Sequence, residues 1–474
     1  MITPALTIGG RAVSATSTFD VVDPAHRTVV GAAPDCTAEQ LDAAFLAAKE
    51  AFRTWREDEK ARCAALHAAA DRLVGASDEI GRVLTREQGK ALRDATGEVL
   101  RMADWLRYYA DLELPREVIQ DDKAGVAEVV RRPIGVVAAI TPWNFPLTLA
   151  AWKVAPALRA GNTVVLKPSP YTPLSTLLVG EVLCGVLPDG VLNVVSGGDE
   201  LGAAMVRHPV PRKISFTGSV GGGRAVNTGA APDLKRVTLE LGGNDPAILL
   251  DDIDIPAVAK KLFWASFTNN GQICSAVKRV YVPKNRHDEL IDALVEVAGR
   301  VVVGDGLEPA TLLGPVNNRA QFERVTQLVA DAEAAGAKLI AGHAPELDGW
   351  FVPPTIVAGA RDGMRLVDEE QFGPALPVVP YSDLEAVVER INDGPFGLGG
   401  SVWGSDSDRA AAVASRLECG TAWTNTHLVM NPHQPFGGFK ASGIGVENGP
   451  WGLYAFTELQ VLYRARQLGS AATP

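Results

Sequence analysis

The sequence predicts an α/β protein organised on a parallel sheet, and three observations predict it. First, residues 135–140 and 162–166 are short apolar runs, as expected of strands buried on both faces, and 192–196 and 213–217 read as further strands. Second, helical segments at 147–160, 173–187 and 200–207 alternate with them, so the strands run parallel through right-handed crossovers. Third, 474 residues exceed one ordinary domain, so two large domains or more are expected.

Composition narrows the class. Apolar residues make up 47% and charged residues 21%, a soluble globular balance, and no apolar run reaches the roughly 18 residues of a membrane span. The net charge of −11 without a basic cluster argues against nucleic acid or an anionic membrane as partner. The cysteines, Cys36, Cys63, Cys184, Cys274 and Cys419, are odd in number and form no CxxC. That argues against a disulfide framework or a metal site and fits a reducing, cytoplasmic setting. Residues 1–11 lack a basic stretch followed by an apolar core, so no secretory leader is expected.

In chain order, residues 3–20 read as short strands and turns. The stretch 37–55 is a helix: Thr37 caps it with Gln40 three residues on, and Leu41, Ala44, Phe45, Ala48 and Phe52 share one face. Alanine-rich helices follow at 61–74, 79–88 and 91–112, closed by Pro115, and valines in 121–131 suggest an antiparallel arm. The first buried strand ends in Thr141-Pro142-Trp143-Asn144-Phe145-Pro146, where two prolines forbid regular structure. Ligands of parallel sheets bind at the carboxyl ends of strands, where Asn144, Lys167 and Thr217-Gly218-Ser219 would lie. A second α/β pattern spans about 248–417, and the tail, rich in glycine and aromatics, ends in a strand at 459–463.

Four segments carry candidate chemistry, and each has a bland reading. Cys274 follows Asn269-Asn270-Gly271, a turn, and precedes a strand at 277–282, so its thiol can face a cleft; most lone cysteines, however, are small core residues. Gly218 to Gly223 before a helical stretch resembles a phosphate cradle but does not spell GxGxxG, Val226 standing where a small residue belongs. Glu240 interrupts an apolar strand before Gly242-Gly243; it is either in use or a strand-end carboxylate facing water. Asp368-Glu369-Glu370 beside Phe372 is either a site or a solvated face.

Spacing cannot unite Asn144, Glu240, Cys274 and Glu370, but their order can be compared. Trp143-Asn144-Phe145, Lys167-Pro168-Ser169, Phe216-Thr217-Gly218-Ser219 with Gly223, Glu240-Leu241-Gly242-Gly243, Gly271-Gln272-Ile273-Cys274, Glu370-Gln371-Phe372-Gly373-Pro374 and Pro435-Phe436-Gly437-Gly438 stand in one order. In these segments the chain resembles the aldehyde dehydrogenase superfamily over nearly its full length.

The resemblance implies a Rossmann-type cofactor domain (1–113 and 134–243), an α/β catalytic domain (244–440) and a small β oligomerisation arm (114–133 and 456–468). It implies a homo-oligomer, dimer or tetramer. It implies Cys274 as nucleophile forming a thiohemiacetal and then a thioester, Asn144 with the Cys274 N–H as oxyanion donors, and Glu240 as general base. NAD would be held by Ile140, Trp143, Lys167, Ser169, Gly218, Ser219, Gly223, Leu241, Glu370 and Phe372. Leu149, Trp152, Phe267, Ile273, Ser275 and His433 would line a substrate tunnel for a mid-sized aliphatic or aromatic aldehyde. Many NAD-preferring members carry a glutamate where this chain has Pro170, so NAD use with some tolerance of NADP is expected. The alternatives are a CoA-acylating relative, which usually lacks the base supplied here by Glu240, and an inactive scaffold relative, which should have lost Cys274 or Glu240.

Overall fold

The computed structural model describes residues 2–466 of the chain. Two large sheets dominate. In the first, the strands lie in the order Arg11–Val13, Leu6–Ile8, Leu192–Val194, Thr163–Lys167, Val136–Ile140, Lys213–Thr217, Arg236–Glu240 and Gly443–Ile444. The five strands from Leu192–Val194 to Arg236–Glu240 are parallel. Val136–Ile140 and Thr163–Lys167 are buried at every position, as continuous apolar runs require. Chain order reverses between Val136–Ile140 and Lys213–Thr217, which opens a crevice at their carboxyl ends.

The second sheet runs Lys338–Ala341, Thr355–Ala358, Ala375–Tyr381, Arg279–Pro283, Pro246–Leu249, Gly399–Trp403 and Thr421–Thr424, parallel except for its first pair. Strand Pro246–Leu249 feeds two cores, Ile248 on one face and Ala247 and Leu249 on the other, as period-two alternation dictates. The chain then returns to the first unit: Gly443–Ile444 pairs with the end of Arg236–Glu240, and Leu453 and Phe456 join its core.

A separate three-stranded sheet pairs Thr457–Ala465 with Gly125–Pro133 and that strand with Glu117–Asp121, all antiparallel. Residues 467 and 468 of the expected arm lie outside the described residues. Val118, Ile119, Leu459, Val461 and Tyr463 on this sheet are each more than half exposed. No helix among the described residues is long and apolar enough to cross a membrane.

Most expected elements are present within a few residues, and the exceptions have local causes. The capping box at Thr37 and Gln40 opens helix Ala38–Trp55 as its sequence predicts. The helix expected at 173–187 stops at Leu183, because Cys184 turns extended and Gly185 adopts φ +77°. The helix expected after the glycine run begins inside it: Val220–Ala230 contains Gly221 to Gly223, and Ser219 is its cap.

Candidate active site

Cys274 sits in a turn between helix Ile255–Phe267 and strand Arg279–Pro283. Asn269, Asn270 and Gly271 all take left-handed backbone angles, φ +51°, +58° and +70°, which asparagine and glycine tolerate best. A Cβ on Gly271 would lie 2.4 Å from the carbonyl oxygen of Gly373, so glycine here lets the cysteine loop touch the Glu370-Phe372 segment. Side chains from three other positions claim the carbonyls around the thiol. Asn144 Nδ2 donates to Gln272 O at 2.9 Å, Lys278 Nζ donates to Ile273 O, and His427 Nε2 meets Ser275 O at 2.7 Å. Burial holds His427 neutral, its pKa pushed down to about 3, so Nε2 carries the proton it donates. Burial also pushes the Cys274 thiol up to about 12; Lys278 opposes this, while Glu370, Asp245 and Glu240 add to it.

Asn144 is 3% exposed and held through its own backbone. Its carbonyl accepts from Lys90 Nζ at 2.8 Å and Asn269 Nδ2 at 3.1 Å. Lys90 is paired at 2.5 Å with Glu98, whose other oxygen accepts the N–H groups of Leu147 and Thr148 in the first turn of helix Pro146–Arg159. A buried ion pair thus anchors the segment from both ends. Neither partner was legible in sequence, since Lys90 stands in the short link between two helices and Glu98 on an alanine-rich helix, places where charges ordinarily face solvent.

Glu240 closes strand Arg236–Glu240 beside Thr217. It is 3% exposed and neither carboxylate oxygen has a hydrogen-bond partner among the described residues. Burial, reinforced by the charge of Glu447 and opposed by Lys153, raises its pKa well above the usual carboxylate range. Lys153 and Glu447 are a second pair that sequence reasoning missed. Lys153 Nζ donates to Glu447 Oε1 at 2.6 Å and to Thr217 Oγ1 at 2.7 Å, and Ser215 Oγ donates to the same glutamate oxygen at 3.3 Å. Both glycines after Glu240 are needed for close approach. A Cβ on Gly242 would lie 2.3 Å from Glu370 Oε2, and one on Gly243 would lie 2.8 Å from Cys274 O.

A cavity of about 630 Å³ is lined by Asn144, Cys274, Glu370, Phe372, Trp143 and Leu149, among others. The Glu370 carboxylate accepts the Gly243 N–H at 3.0 Å, and the Trp143 and Phe372 rings meet edge to face with centroids 5.3 Å apart. A second cavity of about 890 Å³ shares Pro142, Trp143, Thr217, Gly218 and Ser219 with the first and continues past Ile140, Lys167 and Ser169. Together they form one cleft along the strand ends at the point where chain order reverses. Ser219 Oγ accepts the Gly222 N–H at 3.0 Å, leaving the Val220 and Gly221 N–H groups of that helix end without an intrahelical partner.

Known proteins share this fold. The model of the aldehyde dehydrogenase family matches residues 12–462. The chain belongs to that family. It is 40% identical to a phenylacetaldehyde dehydrogenase of Pseudomonas fluorescens over 96% of its own length and 94% of the relative's. It is 37% identical to a geranial dehydrogenase of Castellaniella defragrans, covering 96% and 98%. An NAD+ complex of aldehyde dehydrogenase from Bacillus cereus superposes with TM-score 0.95 at 35% identity, over 98% of this chain and 97% of that one. The chain is therefore an NAD(P)-dependent aldehyde dehydrogenase, which oxidises an aldehyde to the carboxylic acid.

Within this aldehyde dehydrogenase the expected tunnel residues separate. Leu149 lines the Cys274 cavity, whereas the other five do not. Phe267 is a correction: it is 1% exposed, packs at a tilt against Phe263 with centroids 4.5 Å apart, and belongs to a core of the second sheet. Its apparent closeness to Cys274 in sequence is undone by the left-handed turn between them. Ser275 is fully buried and Ile273 nearly so, both presenting a carbonyl to a neighbouring side chain, and His433 is exposed on the surface. Trp152, three residues after Leu149 on the same helix face, packs deeper between Trp105 and Phe436. Phe145, Met430 and Cys274 itself lie half-buried against the core of the first sheet, so one side of the thiol is apolar.

Proposed function

We propose that Cys274 is the nucleophile, Asn144 the oxyanion donor and Glu240 the general base of this aldehyde dehydrogenase. One observation carries the reading: Cys274, Asn144 and Glu370 line a single cavity, with the unpartnered carboxylate of Glu240 near enough to raise the thiol pKa. A thiol held so far above its usual value needs a base. A desolvated carboxylate whose own pKa is raised is matched to that task. Glu240 takes the thiol proton and Sγ bonds to the aldehyde carbon, giving a thiohemiacetal. The carbonyl oxygen then draws on the second Asn144 Nδ2 proton and on the Cys274 N–H.

The dinucleotide, when bound, supplies the two-electron acceptor that turns the thiohemiacetal into a thioester. Glu240 gives up the thiol proton to solvent, and next takes a proton from water as the water oxygen bonds to the thioester carbon and the carbon–sulfur bond breaks. The carboxylic acid departs and Sγ regains a proton.

The cleft fits a dinucleotide. The two free N–H groups at the Ser219-capped helix suit a pyrophosphate. Glu370 and Lys167 line opposite stretches of the cleft, each able to meet ribose hydroxyls. Ile140, Ser169, Gly218 and Leu241 line it, and Gly223 packs behind Leu241 without lining it. A Cβ on Gly218 would strike the Phe216 ring at 2.5 Å, and one on Gly223 would strike Leu241 at 2.5 Å. NAD is the preferred cofactor, with some tolerance of NADP because Pro170 brings no carboxylate.

The substrate is a mid-sized apolar aldehyde, aromatic or aliphatic, as Leu149 on the cavity wall and the half-buried Phe145 and Met430 favour. Residues 1–113 and 134–243 form the cofactor domain and 244–440 the catalytic domain. The exposed apolar strands at 114–133 and 456–466 join subunits into a homo-oligomer. The enzyme works in the cytoplasm, in keeping with five free thiols.

The test is a panel of aldehydes with NAD and NADP, with and without CoA, on wild type and Cys274→Ala. CoA-independent oxidation of apolar aldehydes that disappears in Cys274→Ala supports the assignment. Strict CoA dependence, or an active Cys274→Ala enzyme, overturns it.

A further inference from the structure

The dinucleotide reading of the cleft, on which this inference rests, leaves one question of selectivity. Pro170 removes the carboxylate expected beside the adenosine ribose, and Lys167 is a buried cation in the same cavity. Lys167 Nζ has one protein acceptor, the Pro168 carbonyl at 3.2 Å. The cavity is also bordered by the start of helix Asp199–Arg207, whose cap, Gly198, offers no side chain to its N–H groups. A cation beside a bare helix N-terminus is an arrangement that attracts phosphate. By these features alone the cavity would welcome a 2′-phosphate.

The first turn of that helix, however, carries Asp199 and Glu200, and both line the cavity. Asp35 lines it too, and no arginine among the described residues does. Its charged groups are therefore one lysine against three carboxylates, a net charge of 1 − 3 = −2 with Lys167 protonated. We propose that Asp199 and Glu200 disfavour the 2′-phosphate of NADP in this enzyme, partly standing in, from the start of a neighbouring helix in the same cavity, for the carboxylate absent at Pro170. Their position in the first helical turn acts twice, by direct repulsion of the phosphate and by cancelling the positive helix end that would attract it. The field of Asp199 already reaches Lys167: burial lowers the pKa of that lysine to about 8, and Asp199 is the charge that opposes the fall. Both carboxylates are exposed, so their effect is moderate and screened by salt.

The test is equilibrium binding of NAD+ and of NADP+ by calorimetry, for the unaltered enzyme and for D199N/E200Q, at low salt and at ~0.5 M salt. The unaltered enzyme should bind NAD+ more tightly. The double variant should tighten NADP+ by about fivefold relative to NAD+ at low salt, with a smaller change at high salt. An NAD+ affinity close to that of the unaltered enzyme shows that the cleft is intact. If both dinucleotides bind and the variant leaves their ratio within about twofold at low salt, the inference is wrong while the site reading stands. If neither binds the unaltered enzyme, the site reading fails and takes the inference with it.

Discussion

The side-chain amide of Asn144 donates to the carbonyl of Gln272 at 2.9 Å, joining segments 128 residues apart. The bond uses one amide proton and orients the other, tying the oxyanion donor to the loop that carries the nucleophile. Asn144→Ala should lower kcat by ~10²–10³ while the Kd for NAD+ stays near that of the parent. Stopped-flow kinetics and calorimetry separate the two, and an Asn144→Ala enzyme of nearly normal kcat would remove this residue from the mechanism.

Glu240→Gln should slow steady-state turnover by ~10²–10⁴ and trap acyl groups on Cys274, visible as a mass increase on the intact protein. In the parent, Glu240 gains basicity only as pH rises through a value well above the usual carboxylate range. The acid limb of kcat against pH should therefore lie toward neutrality, and the glutamine variant should lack it. A limb unchanged in Glu240→Gln assigns it to another group.

Glu447 raises the pKa of Glu240 and Lys153 lowers it. Glu447→Gln removes the raising charge and leaves the lowering one uncompensated, so the acid limb should move to lower pH. The sign is the test: a shift to higher pH contradicts this electrostatic account. Stability should fall as well, since Lys153 is then buried without its carboxylate partner.

The Lys90 and Glu98 pair is 4% and 0% exposed. Glu98→Ala strands a buried ammonium and two helix N–H groups, at a cost of about 3–5 kcal/mol. Glu98→Gln keeps the acceptor for Leu147 and Thr148 and should cost less. Denaturant midpoints rank the variants, and equal midpoints for alanine and glutamine would show that the N–H contacts add nothing.

Leu459 and Val461 are 64% and 59% exposed on one edge strand of a sheet whose other edge strand exposes Val118 and Ile119. Leu459→Glu with Val461→Glu should shift the sedimenting mass from an oligomer toward the single chain. A parent that sediments as a monomer, or a variant of undiminished mass, excludes this sheet as the subunit contact.

Local pattern by itself determined the α/β alternation, the strands buried on both faces, the Thr37 capping box and the order of seven motifs that marks the family. These are legible because apolar periodicity, glycine and proline act over a few residues, and because motif order survives without coordinates. Tertiary structure decided what those residues face. It showed that Gly242 and Gly243 are small because Glu370 and Cys274 press against them, that Phe267 is core despite lying seven residues before the cysteine, and that Lys90–Glu98 and Lys153–Glu447 are buried pairs rather than surface charges. It also set Asp199 and Glu200 in the cavity that Pro170 borders. The physical reason is common to all of them: the energy of a charge depends on its burial and its neighbours, and Lys153 meets Glu447 across 294 residues that no local pattern spans.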